Sequence, residues 1–246
     1  MTYKILNASK LTFISSIVAL SGAASAQHAD VRPYVAASQI VTGAHDDATG
    51  QDIAVVRAYG YDFGEDAADP YFIGDPGFNA EAGSGLTPGS QLRFNVLGDL
   101  VYWNGTTPSP SFGATPADES IRFNFGASNA FVTDTSGSQP GFTLQTVQSN
   151  GSVHRHLNTF LNGADGNAVA GDGVEPAAGI YAVKLELTSS DPLLAASDPF
   201  YLVFNNGLDE SPHEQSIEFL AASLVPEPSS MTLLAAGSSL LRRRRR

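Results

Sequence analysis

Turn-forming pairs cut the middle of this chain into short pieces. Gly-Asp stands at 98–99, Asn-Gly at 104–105, 150–151 and 206–207, and Asp-Pro at 69–70, 75–76, 191–192 and 198–199. Asn-Gly and Gly-Asp supply backbone at positive φ, and Pro fixes its own φ, so a long helix does not run through such points. Between them lie runs rich in β-branched and aromatic residues, at 53–63, 91–97, 100–103, 120–125, 142–148, 152–161, 180–188, 200–204 and 217–221. These are strand lengths. No window away from the chain ends holds a 3.6-residue apolar period. The pattern predicts an all-β fold, an antiparallel β-sandwich of jelly-roll or Ig-like kind. Two Gly/Asp/Pro loops, 64–88 and 163–179, interrupt it and are either functional or merely mobile.

The chain has no cysteine. Four-Cys zinc sites, cysteine nucleophiles and iron–sulfur clusters are thereby excluded. No disulfide can compensate for a weak core, so stability must come from packing. About 195 residues between the two ends suffice for one domain, and no linker divides them.

Both ends read as addresses. Lys4 and Lys10 form a basic region ahead of an apolar stretch at 11–20, and Ala24-Ser25-Ala26 is a small-residue cleavage site. This is the layout of a secretory signal peptide, with a mature chain expected from Gln27. At the other end, Pro226-Glu227-Pro228 precedes an apolar run at 231–241 and the arginines Arg242, Arg243, Arg244, Arg245 and Arg246. The run is too short for a permanent span, which needs about 20 apolar residues, and the arginines would hold its end on the cytoplasmic side. The tail resembles the PEP-CTERM sorting signal of Gram-negative bacteria. That resemblance implies recognition and removal by an exosortase-type membrane protease. The expected organisation is a signal peptide at 1–26, a β-sandwich domain at 27–222 and a sorting signal at 223–246. The implied location is the cell envelope, outer surface or extracellular matrix, with no transmembrane span after processing.

Between Asp30 and Val225 stand 24 acidic and 6 basic residues, a formal charge of −18. So acidic a surface repels nucleic acid and anionic lipid. It favours cations, and it also serves solubility.

The sharpest chemical feature is Val153-His154-Arg155-His156-Leu157. On a strand, alternate side chains share a face, which puts the Cα atoms of His154 and His156 on the order of 7 Å apart on one side. Val153 and Leu157 then point to the core. Two such imidazoles can chelate a transition ion, or they can simply be solvated. The remaining histidines each have an acid close by: His28 with Asp30, His45 with Asp46 and Asp47, and His213 with Glu214. A strand pair joined by remote His or carboxylate groups would complete a three- or four-ligand site. The expected ligands are His154 and His156 with His28 as the third, completed by His45, His213 or Asp30.

The same residues carry a second resemblance. Gln27-His28-Ala29-Asp30-Val31 resembles the GHVDV-type opening of a surface-anchored domain family of actinobacteria. His154-Arg155-His156-Leu157-Asn158-Thr159-Phe160 is similar to its H-x-H-x-x-W-x-F strand, and Gly179-Ile180-Tyr181 resembles its P-G-x-Y strand start. Genes of that family accompany metal-uptake transporters. The resemblance implies exported divalent-metal binding and extends a metal role to His28, His154 and His156. The chain departs from the pattern where Thr159 and Phe160 replace the Trp region, where Ala178 replaces Pro, and where a loop stretches the spacing to Gly179.

Other readings are weaker. The Gly-rich stretches at 163–167 and 171–175 offer Asp165, Asn167, Asp172 and Glu175 as oxygen ligands for calcium, but the EF-hand pattern is not met. H-E-x-x-H, G-x-S-x-G and P-loop motifs are absent. Acid pairs at Asp118-Glu119 and Asp209-Glu210 do not by themselves make a glycoside hydrolase, since neighbours on a strand face opposite ways. Trp103, Tyr59, Tyr61 and Phe63 fit core packing better than a sugar platform. The leading expectation is a non-catalytic, exported β-sandwich that binds a divalent transition ion, with zinc expected, for sequestration or delivery to an uptake system. The alternative is a structural protein of the exopolysaccharide matrix without a specific metal site.

Overall fold

The computed structural model describes residues 29–46, 50–116 and 118–225. The signal-peptide stretch, His28 and the sorting tail lie outside the described residues. In chain order the strands are β1 (Arg32–Ala36), β2 (Gln39–Asp46), β3 (Gln51–Ile53), β4 (Ala58–Asp62), β5 (Phe72–Ile73), β6 (Gly77–Ala80), β7 (Gln91–Leu97) and β8 (Val101–Trp103). They continue as β9 (Gly113–Ala114), β10 (Ser120–Phe125), β11 (Ser128–Val132), β12 (Ser138–Thr146), β13 (Val153–His156), β14 (Asn158–Asn162), β15 (Gly179–Ser189) and β16 (Phe200–Asn206), and helix α1 (Glu210–Ser223) closes the domain.

The fold is all-β and forms a single domain, as expected. A seven-stranded sheet runs β12-β7-β15-β16-β4, with β8 pairing the β15 edge beyond β7 and carrying β9. A four-stranded sheet runs β11-β10-β14-β5. The two face each other through aromatic side chains. Phe123 on β10 meets Phe94 on β7 edge to face at 5.9 Å and Phe204 on β16 at 6.2 Å. Tyr61 on β4 stacks on Phe204 at 5.6 Å. Each such ring removes a large apolar area from water and adds a specific ring–ring contact. Tyr59, Tyr61, Phe63 and Trp103 are all buried, so they are core residues rather than a sugar platform. The seven-stranded sheet departs from the antiparallel expectation at one edge, where β4 runs parallel to β16.

The first half of β15 is buried on both faces. Tyr181, Val183 and Leu185 face the sandwich core, while Ile180 and Ala182 belong to a second cluster with Ala58, Trp103, Val203, Ile217 and Leu220. That second face requires a cover, and α1 supplies it. The stretch 217–221, expected as a strand, is therefore helical. Its inward residues are His213, Ser216, Ile217 and Leu220, a spacing of three and four that defines one helix face. Two of the four are polar, so a search for apolar periodicity passes over them. Among the described residues no helix is long and apolar enough to cross a membrane.

The stretch expected as one strand at 152–161 breaks at Leu157. β13 pairs with β6, whereas β14 pairs with β10 and β5. The 64–88 loop thus contributes two strands of its own. Val31 adds a parallel bridge to Phe78, so β6 lies between the segment at Val31 and the His-x-His strand.

Candidate metal centre

β13 presents its residues as a two-residue period requires. Val153 is buried and His154 and His156 are exposed. The two imidazole centroids lie 5.2 Å apart. Arg155 leaves this face: its Nε donates to the Leu144 carbonyl at 3.0 Å and its guanidinium lies 3.8 Å over the Phe125 ring. The motif's own cation is thereby kept from the histidines.

Asp30 arrives from the N-terminal side of β6. The Val31 amide donates to the Gly77 carbonyl at 2.9 Å, and the Asn79 amide to the Val31 carbonyl at 2.9 Å. This clamp brings the Asp30 carboxylate next to β13. One ligand atom from each of Asp30, His154 and His156 lies within 4.8 Å of the other two. His156 Nε2 is 3.9 Å from Asp30 Oδ2. Ligands bound at about 2.1 Å at tetrahedral corners sit about 3.4 Å apart, so a modest side-chain adjustment closes the set on one ion.

The other nitrogen of His156 is also engaged. Nδ1 lies 3.0 Å from Asp75 Oδ1. A carboxylate accepts only, so Nδ1 carries the proton there, which leaves Nε2, on the Asp30 side, as the nitrogen an ion could take. This carboxylate–histidine arrangement orients metal-binding imidazoles and raises their basicity. Asp75 is fixed in turn through its carbonyl, which accepts from Thr159 Oγ1 at 2.5 Å. Gly77 makes the convergence sterically possible. A Cβ there would overlap Asp30 Oδ1 and stand 2.8 Å from His156 Cε1.

The structure therefore brings together three of the sequence-derived candidates, His154, His156 and Asp30. It places two others elsewhere. His45 Nδ1 lies 2.9 Å from Asp52 Oδ1, directly across the β2–β3 ladder, and Arg32 shares that carboxylate at 2.9 Å. The hydrogen bond to His45, helped by Arg32, holds the Asp52 carboxyl below its ordinary range. His213 is fully buried on the inner face of α1, grouped with Asp62 and Glu210. His28 lies outside the described residues. Sequence reasoning passed over Asp75 and Gly77. Asp75 was visible only as half of an Asp-Pro turn, and Gly77 carried no signal.

The acids of the 163–179 loop fasten the loop itself. Asp165 Oδ1 accepts from the Asn167 amide at 3.1 Å, Asp172 Oδ1 from the Val174 amide at 3.0 Å and Glu175 Oε1 from the Gly171 amide at 2.9 Å. Glu119, from the Asp118-Glu119 pair, is buried and accepts from the Tyr181 hydroxyl at 2.6 Å.

No family model and no curated protein sequence matches the chain. Among solved structures, the CooA pilin subunit from enterotoxigenic Escherichia coli is similar at 11% identity, covering 65% of this chain and 95% of that one, with a TM-score of 0.32. So loose a likeness supports no statement about function.

Proposed function

We propose that this is an exported envelope protein that binds a divalent transition ion, with zinc the expected occupant, through His154 Nε2 or Nδ1, His156 Nε2 and an Asp30 carboxylate oxygen. The observation that carries the reading is the convergence of those three groups over the bare backbone of Gly77. The set of two imidazoles and a carboxylate suits zinc and its neighbours better than calcium or magnesium, which take oxygen. A fourth position is left for water, for His28 or for a ligand from a receiving protein. An exposed, three-ligand site of this kind fits sequestration or handover to an uptake system. The function proposed for it is binding rather than catalysis. Export rests on the two terminal signals, with removal of the tail by an exosortase-type protease.

Calorimetric titration of the chain with Zn²⁺ tests the binding. Wild type is expected to bind in the micromolar range or tighter, and His154→Ala/His156→Ala to lose that binding event. A double variant that binds as many Zn²⁺ ions as wild type moves the site elsewhere, and a wild type that binds none leaves the exopolysaccharide-matrix reading. Intact-mass spectrometry from a Gram-negative host tests the export. The expected species starts near Gln27 and ends near Pro226, and secreted protein still carrying its terminal arginines contradicts the sorting reading.

A further inference from the structure

The underside of α1 holds a second cluster that the first site does not use. We propose that Asp62, Glu210 and His213 form a separate divalent-cation site, binding a transition ion through His213 Nδ1 and one oxygen from each carboxylate.

His213 is fully buried. Its Nε2 lies 3.2 Å from the Val203 carbonyl, which accepts only, so the ring proton sits on Nε2. Nδ1 makes no hydrogen bond. It points at Asp62 Oδ1, 3.4 Å away. That is within ion-pair reach, but it is longer than an ordinary N–H···O bond of about 2.7–3.2 Å and does not meet hydrogen-bond geometry. A neutral ring in this position sets a lone pair against a carboxylate oxygen, an arrangement that needs positive charge between the two. Either a proton on Nδ1 or a metal ion supplies it. The separation fits the ion: donors bound at about 2.1 Å at two tetrahedral corners stand about 3.4 Å apart.

The surroundings complete a coordination shell. Glu210 and His213 are three residues apart on α1, hence on one face, and a ligand atom of each lies within 4.8 Å of the other and of Asp62. Asn205 Nδ2 donates to Asp62 Oδ1 at 2.7 Å and orients that carboxylate. The Val203 carbonyl orients the imidazole in the same way, as outer partners do at metal sites. Glu210 is exposed, so the carboxylate end of the cluster meets solvent. The first turn of a helix carries about half a positive charge, which two carboxylates outweigh.

The test counts Zn²⁺ ions by calorimetry on the full chain and follows the histidine ring nitrogens by ¹H–¹⁵N NMR. His154→Ala/His156→Ala should still bind one Zn²⁺, shifting the His213 Nδ1 signal while Nε2 keeps its proton. Glu210→Gln, at an exposed position that leaves folding intact, should weaken that remaining event at least tenfold. If the double variant binds no Zn²⁺, or if His213 Nδ1 carries a proton at neutral pH and ignores a tenfold excess of Zn²⁺, the cluster is an ion pair and the proposal fails. A wild type that binds one ion, lost on Glu210→Gln but kept in the double variant, overturns the first site while this one stands.

Discussion

A methyl group at position 77 would overlap the Asp30 carboxylate and press on His156. Gly77→Ala therefore keeps every proposed ligand and still separates them. The expected outcome is a loss of Zn²⁺ affinity of at least tenfold with an unchanged far-ultraviolet dichroism spectrum, both measured on the purified variant. Asp75→Asn tests the orienting contact at the same scale. It leaves the ring without a carboxylate on Nδ1, and loss of such a partner costs about 10–100-fold in metal affinity. The His-x-His pair was legible in the sequence because a period of two follows from any strand, whatever that strand pairs with. Asp30 was legible only as a neighbour of His28. Asp75 and Gly77 were not, because their roles depend on β6 lying between Val31 and β13, a pairing of residues far apart in the chain that no local pattern announces.

At the scale of elements, the same contrast separates β7 and β10 from α1. β7 and β10 alternate buried and less buried residues along their length, and they lie where the sequence puts them. β1 carries Pro33 and stands at the edge of its sheet, where a missing donor is tolerated. The stretch Ile217-Glu218-Phe219-Leu220-Ala221 has strand composition, and in a strand Ile217, Phe219 and Ala221 would share the buried face. The apolar sheet face above Ala58, Ala182 and Val203 decides otherwise, drawing in Ile217 and Leu220 while Phe219 stays 45% exposed. The two geometries rank substitutions in opposite order. On the helix, Leu220→Ala should cost about 2–5 kcal/mol, as buried large-to-small changes do. Phe219→Ala should cost clearly less, since the side chain is partly exposed and stacks on the Phe112 ring at 6.2 Å. Urea unfolding midpoints of the two variants check the order.

For the whole molecule, a domain with no cysteine and a strongly acidic surface depends on its core and on the ionisation of a few placed groups. Several carboxyls are held below their ordinary range: Asp198 by its hydrogen bond to Arg57, Asp191 by that to Thr87 and Asp52 by that to His45. Depressed values in the folded state mean that the stability they contribute is complete above the unfolded carboxyl value of about 3.9 and is lost as pH falls through the folded values. Burial acts at the other end. It pushes the Tyr59, Tyr61 and Tyr181 hydroxyls far up, and the hydrogen bond from Tyr181 to Glu119 adds to the effect. Raised values mean that their contribution is complete below about 10 and is lost as pH rises beyond it, where the unfolded chain ionises groups the folded chain keeps neutral. The expected stability profile is a plateau from about pH 5 to 9 with a fall on either side. On the alkaline side the three buried tyrosines should gain their phenolate absorbance only together with loss of the native dichroism signal. A stopped-flow pH jump that shows these tyrosines titrating before the fold is lost would contradict their burial in the sandwich core, and with it the packing on which a disulfide-free domain of this kind depends.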